Sequence, residues 1–299
     1  MFSDWVWIFL TALCVSSTLN ILGYYLMLRK ETLVGDALGH AVLPGVVLVY
    51  LFLGDIKYGA IFVGAIVAGL LSTYCISFFR RKAYLFPDSA LGITYISFFS
   101  LGVFLLSFFG RHIDIDLDCV LFGEILLLPI SERLSFFSYE IPVDFSNNLF
   151  ASILCLLFRK FFHHHWLASA FNSLSLFSIR KRLNQADFIL MTLTATSIVF
   201  ALKTVGIILV LGFLAIPSAF ARVFTNDHRQ MLIFSMSFSI LSLTISLPLS
   251  YWSNLNLASV LICSQFVIFL SSFMIQKIFS RRAYERLAKK NQPSFRSSH

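Results

Sequence analysis

An aspartate and a histidine lie four residues apart in a segment that otherwise carries only apolar side chains. The segment covers residues 33–45, LVGDALGHAVLPG, and its two polar residues are Asp36 and His40. On a helix, side chains at this spacing share one face, with Cβ atoms about 5–6 Å apart. A carboxylate oxygen and an imidazole nitrogen together suit zinc, manganese or iron(II). The spacing is therefore compatible with a site for a divalent transition metal.

Spacing alone leaves two interpretations of Asp36 open. In the first, Asp36 and His40 bind a cation, because a carboxylate inside a bilayer costs about 3 kcal/mol on insertion scales unless water, a partner charge or an ion compensates it. In the second, Asp36 lies near the end of an apolar run and caps a helix or pairs with Arg29 or Lys30. Two ligands are few for a metal site, but two subunits meeting at a symmetry axis would supply four.

The composition requires lipid as the solvent for much of the chain. Of the 299 residues, 58% are hydrophobic and 13% are charged, whereas a soluble domain has about 25% charged residues. Runs of about 20 apolar residues cross a bilayer as helices. The candidate spans are 4–28, 33–54, 57–79, 88–109, 144–160, 186–202, 204–222, 231–250 and 257–279. The fold class predicted is all-α, a polytopic transmembrane helical bundle of eight or nine spans, with a re-entrant or interfacial helix within 119–143.

The positions of the charges predict the orientation. The net charge is +8, and the basic residues stand between apolar runs rather than in a patch on a polar surface, which argues against a nucleic-acid partner. Basic loops mark the cytoplasmic side. The clusters are Arg29-Lys30, Arg80-Arg81-Lys82, Arg180-Lys181-Arg182 and Arg281-Arg282. We expect a multi-pass protein of the bacterial inner membrane with its N-terminus outside, a membrane domain over 1–280 and a basic cytoplasmic tail over 281–299.

Motifs for covalent chemistry are missing from the sequence. No Walker A sequence and no H-E-x-x-H zinc motif occurs, so we predict no catalytic residues, no permanently bound cofactor and no enzymatic activity in this chain. An intramembrane metalloprotease is disfavoured for the same reason. The tract His163-His164-His165 follows Arg159-Lys160, and a basic interfacial cluster is favoured there over a metal site.

Four segments carry a family resemblance in their order and spacing. The first, 35–45, matches a known pattern apart from one small residue, which is Gly39 here and usually serine in the family. The others are 87–93 (PDSALGI), 121–126 (LFGEIL) and 205–222 (VGIILVLGFLAIPSAFAR). Over about residues 20–275, the chain resembles the zinc/manganese/iron-type permeases of bacterial ABC importers.

The resemblance implies a type II ABC importer permease fold. Two permeases would pair over two cytoplasmic ATPase subunits, and a periplasmic or lipid-anchored metal-binding protein would deliver the ion. The resemblance also implies that Asp36 and His40 line the metal path. The cargo would be zinc, manganese or iron, and the sequence decides neither the metal nor whether the second permease is a copy or a sister chain.

One segment departs from the family pattern. Permeases of this type usually carry an acidic D-P-E segment before the sixth span, on the helix that docks on the ATPase. The corresponding stretch here, 171–176, reads FNSLSL and has no carboxylate. Two alternatives for the function remain at this point: a siderophore or corrinoid ABC importer permease, and a secondary metal transporter.

Overall fold

The computed structural model describes residues 2–53, 58–109, 125, 128, 133–136, 139–171 and 177–290. In these residues the chain is almost entirely helical, as predicted. The helices are α1 (Phe2–Leu28), α2 (Val34–Ala41), α3 (Leu43–Leu53), α4 (Tyr58–Lys82), α5 (Pro87–Phe109), α6 (Val143–Phe171), α7 (Phe177–Phe224), α8 (His228–Ser253) and α9 (Leu257–Lys290), and the strands are β1 (Arg133–Phe136) and β2 (Tyr139–Pro142).

Seven stretches of the described residues are long and apolar enough to cross a membrane. This number of stretches is slightly below the eight or nine spans predicted. One reason is that the predicted sixth and seventh spans belong to a single run, Arg182–Phe224. The other is that α6, which contains the predicted fifth span, is not among the seven, because asparagines near its start and Arg159-Lys160 near its middle interrupt its apolar sequence.

The long helix α7 contains two helical arms. Its 48 residues would extend about 72 Å as one straight helix, more than twice the roughly 30 Å hydrocarbon core of a bilayer. Gly206 interrupts it with non-helical dihedral angles, φ 77° and ψ 164°. We call residues 177–205 the first arm and residues 207–224 the second arm. The sequence placed the boundary between the predicted sixth and seventh spans at Lys203, three residues before the break at Gly206.

Contacts at the two ends of α7 show that the chain reverses at Gly206. Asp187, near the start of the first arm, bonds to Arg29 at the end of α1. Just beyond the end of the second arm, His228 packs its ring 4.9 Å from that of Phe171, the last residue of α6. The end of α6 is in turn close to the end of α1, so the first arm begins and the second arm ends on the same side of the bundle.

A second break separates α2 from α3. Proline has no N–H with which to continue a helical ladder, and Pro44 would have bonded the carbonyl of His40. The ladder resumes when Gly45 and Val46 donate to the carbonyl of Val42 at 3.1 and 3.3 Å. Pro44 therefore marks a boundary between two short helices within one apolar stretch, Val34–Phe52.

The segment 133–142 differs from its prediction. Where a re-entrant or interfacial helix was expected within 119–143, β1 and β2 pair antiparallel, with Arg133 opposite Pro142 and Phe136 opposite Tyr139. Residues 119–124 and most of 126–132 lie outside the described residues. Alternation of Leu134 and Phe136 with polar neighbours is the local signal for a strand, and the helical prediction missed it.

The helices α1 and α7 form the centre of the bundle. Fully buried side chains of α1 include Leu19, Leu22 and Tyr25. Polar side chains of α1 meet polar partners on neighbouring helices: the Asn20 amide donates to Ser239 Oγ at 2.6 Å, and Thr18 bonds to Ser152 at 2.6 Å. Such pairs satisfy groups that lipid cannot.

Replacing Gly206 with alanine should destabilise the fold. A Cβ is strained at φ 77°, ψ 164°, so we expect the free energy of unfolding to fall by about 1–3 kcal/mol. Thermal unfolding of the purified protein in detergent measures it. The control is Gly92→Ala, since Gly92 lies within α5 and has open space around it. Equal melting temperatures for the two variants would contradict the assignment of strain to Gly206.

Candidate metal-binding site

The short helix α2 packs one face against α7 and leaves Asp36 and His40 on the other. Its buried residues are Val34, Gly35, Ala37, Leu38, Gly39 and Ala41. Gly39 is required for close approach, because a Cβ there would lie 2.9 Å from Cδ1 of Ile207, the first residue of the second arm. The breaks at Pro44 and Gly206 thus place a short helix, not a straight span, against the hinge of α7.

The two candidate ligands contact each other. Nε2 of His40 lies 3.3 Å from Oδ1 of Asp36. The side chains are 35% and 45% exposed, respectively, so the pair is accessible on this chain. The His40 ring packs edge-on against Phe99 of α5, with centroids 5.4 Å apart, and is tilted against Tyr95 at 6.2 Å. The aromatic rings of α5 therefore form one wall of the site.

The contacts of the described residues do not support the interpretation that Asp36 caps a helix or pairs with Arg29. The N-cap residue of α2 is Leu33, and no side chain caps this helix terminus. Arg29, one of the two proposed partners, is bonded to Asp187 and Glu31 instead. The polar contact of Asp36 in this part of the structure is with His40, whose Nε2 lies 3.3 Å from its Oδ1.

One chain supplies only part of a metal's coordination. Among the residues that the structure describes, no group of three or more His, Cys, Asp or Glu side chains could hold a metal ion. A pair of ligands that binds a passing cation needs further ligands, whether from water or from a second subunit.

The family model for the ABC 3 transport family matches residues 1–276. This chain belongs to the ABC 3 transport family. It is 32% identical over 266 residues to the manganese import system permease protein ScaB of Streptococcus parasanguinis, covering 89% of this chain and 88% of the relative. It is 30% identical over 265 residues to the manganese transport system membrane protein MntC of Listeria monocytogenes, with shares of 89% and 88%. A zinc relative, TroD of Treponema pallidum, is 31% identical over 210 residues, covering 70% of this chain and 56% of that protein.

Solved structures agree with this membership. PsaBC from Streptococcus pneumoniae, determined in complex with a Fab, superimposes with a TM-score of 0.68 at 30% identity, covering 89% of each chain. A metal-chelate type ABC transporter in an inward-facing conformation gives a TM-score of 0.51 at 16% identity, covering 95% of this chain and 85% of that one. The second likeness shows the fold alone. The predicted type of fold and the family resemblance are thereby confirmed.

Two of the other family segments lie on helices that pack against α2. Residues 87–93 begin α5, the helix whose Tyr95 and Phe99 pack against His40. Residues 205–222 contain the hinge at Gly206 and the second arm of α7. Of the stretch 171–176, Phe171 is the end of α6, and 172–176 lie outside the described residues, so its docking role stays a prediction.

The histidine tract lies on α6 and serves packing at one of its positions. Nδ1 of His163 is 2.6 Å from the hydroxyl of the buried Tyr25. The ring of His164 is 5.4 Å from that of His163, and the ring of His165 packs against Phe162. This side of α6 therefore links the helix to the end of α1.

Sequence reasoning missed the burial of Glu31. Glu31 is 5% exposed and bonds to Arg29 and Arg80. Its signal was present, because Arg29, Lys30 and Glu31 stand together between two apolar runs. The positive-inside rule counts the charges of a loop but does not predict whether they are buried. The burial of a loop carboxylate depends on which helices surround it.

Protonation of His163 should destabilise the fold at acidic pH, and a pH series can measure this effect. Burial lowers the pKa of His163, and positive charge nearby adds to this; the groups that contribute it are Arg159, His164, His228 and Arg229. The unfolded chain therefore binds the proton at a higher pH than the folded one, so stability that is present above about pH 6.5 is lost as the pH falls below that value.

The test compares the unmodified protein with His163→Gln, whose amide still bonds to Tyr25 but does not titrate. We expect the melting temperature in detergent to fall more for the unmodified protein than for the variant between about pH 7 and pH 5. Parallel curves for the two proteins would show that His163 contributes nothing to the acid sensitivity.

Proposed function

We propose that this chain is the membrane permease subunit of an ATP-driven importer of a divalent transition metal, and that Asp36 and His40 contact the ion in transit. One observation carries the proposal: an Asp–His pair, 3.3 Å apart, lies half-buried and accessible on a short helix within an apolar stretch. Ionisable side chains at membrane depth are stable only where charge or water compensates them.

The exposure of the pair supports a second permease across it. Asp36 and His40 lie on the face of α2 opposite its buried residues, so they do not line a channel enclosed by this chain. Lipid on that face would leave the carboxylate uncompensated. A second permease, facing it across a symmetry axis, would complete a four-ligand site and a shared path. The second permease is either another copy of this chain or a sister chain, and experiment decides between the two.

The relatives support manganese as the first candidate ion and zinc as the second. Manganese is named for the relatives with the broadest coverage, and zinc for one with less. A carboxylate oxygen suits manganese, and an imidazole nitrogen suits zinc. Iron(II) fits the same pair of ligands but is named for none of these relatives.

The orientation with the N-terminus outside and the C-terminus in the cytoplasm draws support from three basic clusters. Arg29 bonds to Asp187, which lies five residues beyond Arg182. Arg80 bonds to Glu31, beside Arg29. The Arg29-Lys30, Arg80–Lys82 and Arg180–Arg182 clusters therefore gather at one side of the bundle, as the positive-inside rule expects of a cytoplasmic side.

The transport cycle proposed here needs separate partners. ATPase subunits on the cytoplasmic side would drive the paired permeases between outward- and inward-facing states. A metal-binding protein outside would deliver the ion to Asp36 and His40, from where it passes to the cytoplasm. The residues of this chain bind and release the ion, and they carry out no covalent chemistry.

Loss of either ligand should abolish most of the transport. In cells that express the whole importer, we expect Asp36→Ala and His40→Ala to lower uptake of radiolabelled manganese at least about tenfold, because each removes a ligand. The controls are Asp227→Asn, which keeps a competent helix cap, and His164→Ala at an exposed position. Normal uptake by both ligand variants at equal expression would remove Asp36 and His40 from the path.

The form of the transported metal separates this function from import of a chelate. Excess unlabelled free Mn²⁺ should compete with labelled manganese, whereas an iron-loaded siderophore and a corrinoid should not, because a bare ion is the species that Asp36 and His40 bind. The same cells and time course serve all three competitors. Competition by a chelate, with none by free metal, would support the other class of importer.

A further inference from the structure

Four charged side chains outside the metal pair form a connected and largely buried ion-pair network. Arg29 donates through Nη1 to Asp187 at 2.9 Å and through Nη2 to Glu31 at 3.3 Å. Arg80 donates to the same Oε1 of Glu31. The Arg29 and Glu31 side chains are 7% and 6% exposed. Two carboxylates face two guanidinium groups, so the charges balance within the ion-pair network.

The backbone at the end of α1 fixes Glu31 in this position. Lys30 adopts the left-handed conformation, with φ 59°, and donates to the carbonyl of Met27 at 3.0 Å. The Glu31 N–H donates to the carbonyl of Leu26 at 2.8 Å. These two bonds are those of a Schellman motif at a helix end. The Glu31 carbonyl then accepts from Val34 at 3.1 Å, which ties the same residue to the start of α2.

The helix that carries the metal pair is thereby held by both arms of α7. At its start, α2 connects through Glu31 and Arg29 to Asp187 on the first arm. Along its body, Gly39 lies against Ile207 on the second arm. The hinge at Gly206 lies between these two attachments. A change of angle between the arms must therefore move α2, or break one attachment.

The ion-pair network also has a spare acceptor. Oε2 of Glu31 is buried and has no hydrogen-bond partner among the described residues. Each guanidinium group presents several donors in a fixed fork and binds a carboxylate with two parallel bonds where geometry allows. Arg29 or Arg80 can thus exchange a single bond to Oε1 for a paired bond to both oxygens as the helices shift, without leaving a charge unpaired.

We infer that Arg29, Glu31, Arg80 and Asp187 are positioning residues for transport. Arg29 and Glu31 tie the start of α2 to Asp187 on the first arm of α7, and Arg80 holds Glu31 from α4, so that relative motion of the arms moves Asp36 and His40. This inference rests on the proposed function. It assigns to the ion-pair network a part in converting helix motion into release of the ion, in addition to any contribution to stability.

The experiment measures the number of manganese ions transported per ATP hydrolysed. The complex is purified with its ATPase subunits and reconstituted in vesicles, with Mn²⁺ as the probe. Arg29→Lys keeps the charge, but a single ammonium group does not reproduce the fork that joins Asp187 to Glu31. Glu31→Gln keeps the shape and removes the charge. The matched control is Arg229→Lys, at an exposed position in the first turn of α8.

We expect Arg29→Lys to lower manganese transported per ATP by roughly 2- to 30-fold, the range that mutations in a coupled network produce. ATP hydrolysis per complex should persist, and Arg229→Lys should leave the ratio unchanged. The ratio does not depend on the amount of folded complex, so a merely structural role would not alter it. Glu31→Gln should lower it in the same direction.

An unchanged ratio in assembled Arg29→Lys complexes overturns the inference. If Glu31→Gln does not assemble, the conservative Arg29→Lys variant decides the matter. Asp36→Ala, measured in parallel, tests the proposed function itself. Loss of transport with Asp36→Ala and a normal ratio with Arg29→Lys would refute only the role of the ion-pair network; normal transport with Asp36→Ala would refute the metal path.

Discussion

Polar groups inside an apolar bundle need polar partners, and this need governs where most of the informative side chains lie. Lipid offers no hydrogen bonds, so Asn20 bonds to Ser239 and Thr18 to Ser152 across helix interfaces. Lys203 pairs with Asp144 at 2.7 Å, near the turn of α7. Against this background, Asp36 and His40 stand out because they pair with each other and still present ligand atoms at the surface.

The two breaks in helical structure act together. Pro44 ends the ladder that began in α2, and Gly206 reverses α7 at a conformation that only glycine adopts readily. Gly39 then lets α2 approach Ile207 closely. Discontinuous helices at membrane depth are a recurrent way to build a transport site, since they place helix ends and polar groups where continuous helices would present only apolar side chains. The site and the hinge are consequently neighbours.

Long-range charge pairing gives the bundle a defined polar end. The ion-pair network joins the end of α1, the last turn of α4 and the start of α7. The bond between Tyr25 and His163 adds α6 to the same end. Removing one partner of a buried pair is costly because the other charge stays behind uncompensated, at about 3–5 kcal/mol. Such ion pairs fix the relative positions of helices that are distant in sequence, including the helix that carries Asp36 and His40.

The sequence by itself determined the membrane class, the helical fold, the family and the candidate ligands, because apolar run length and the spacing of Asp36 and His40 are local properties of the chain. The tertiary structure decided the rest. The position at which the two arms of α7 separate depended on the dihedral angles of Gly206, which packing sets. Whether Arg29 pairs with Asp36 or with Asp187 depended on how α1 and α7 meet. The burial of Glu31 depended on the same meeting, since long-range contacts between charged groups leave no trace in local spacing.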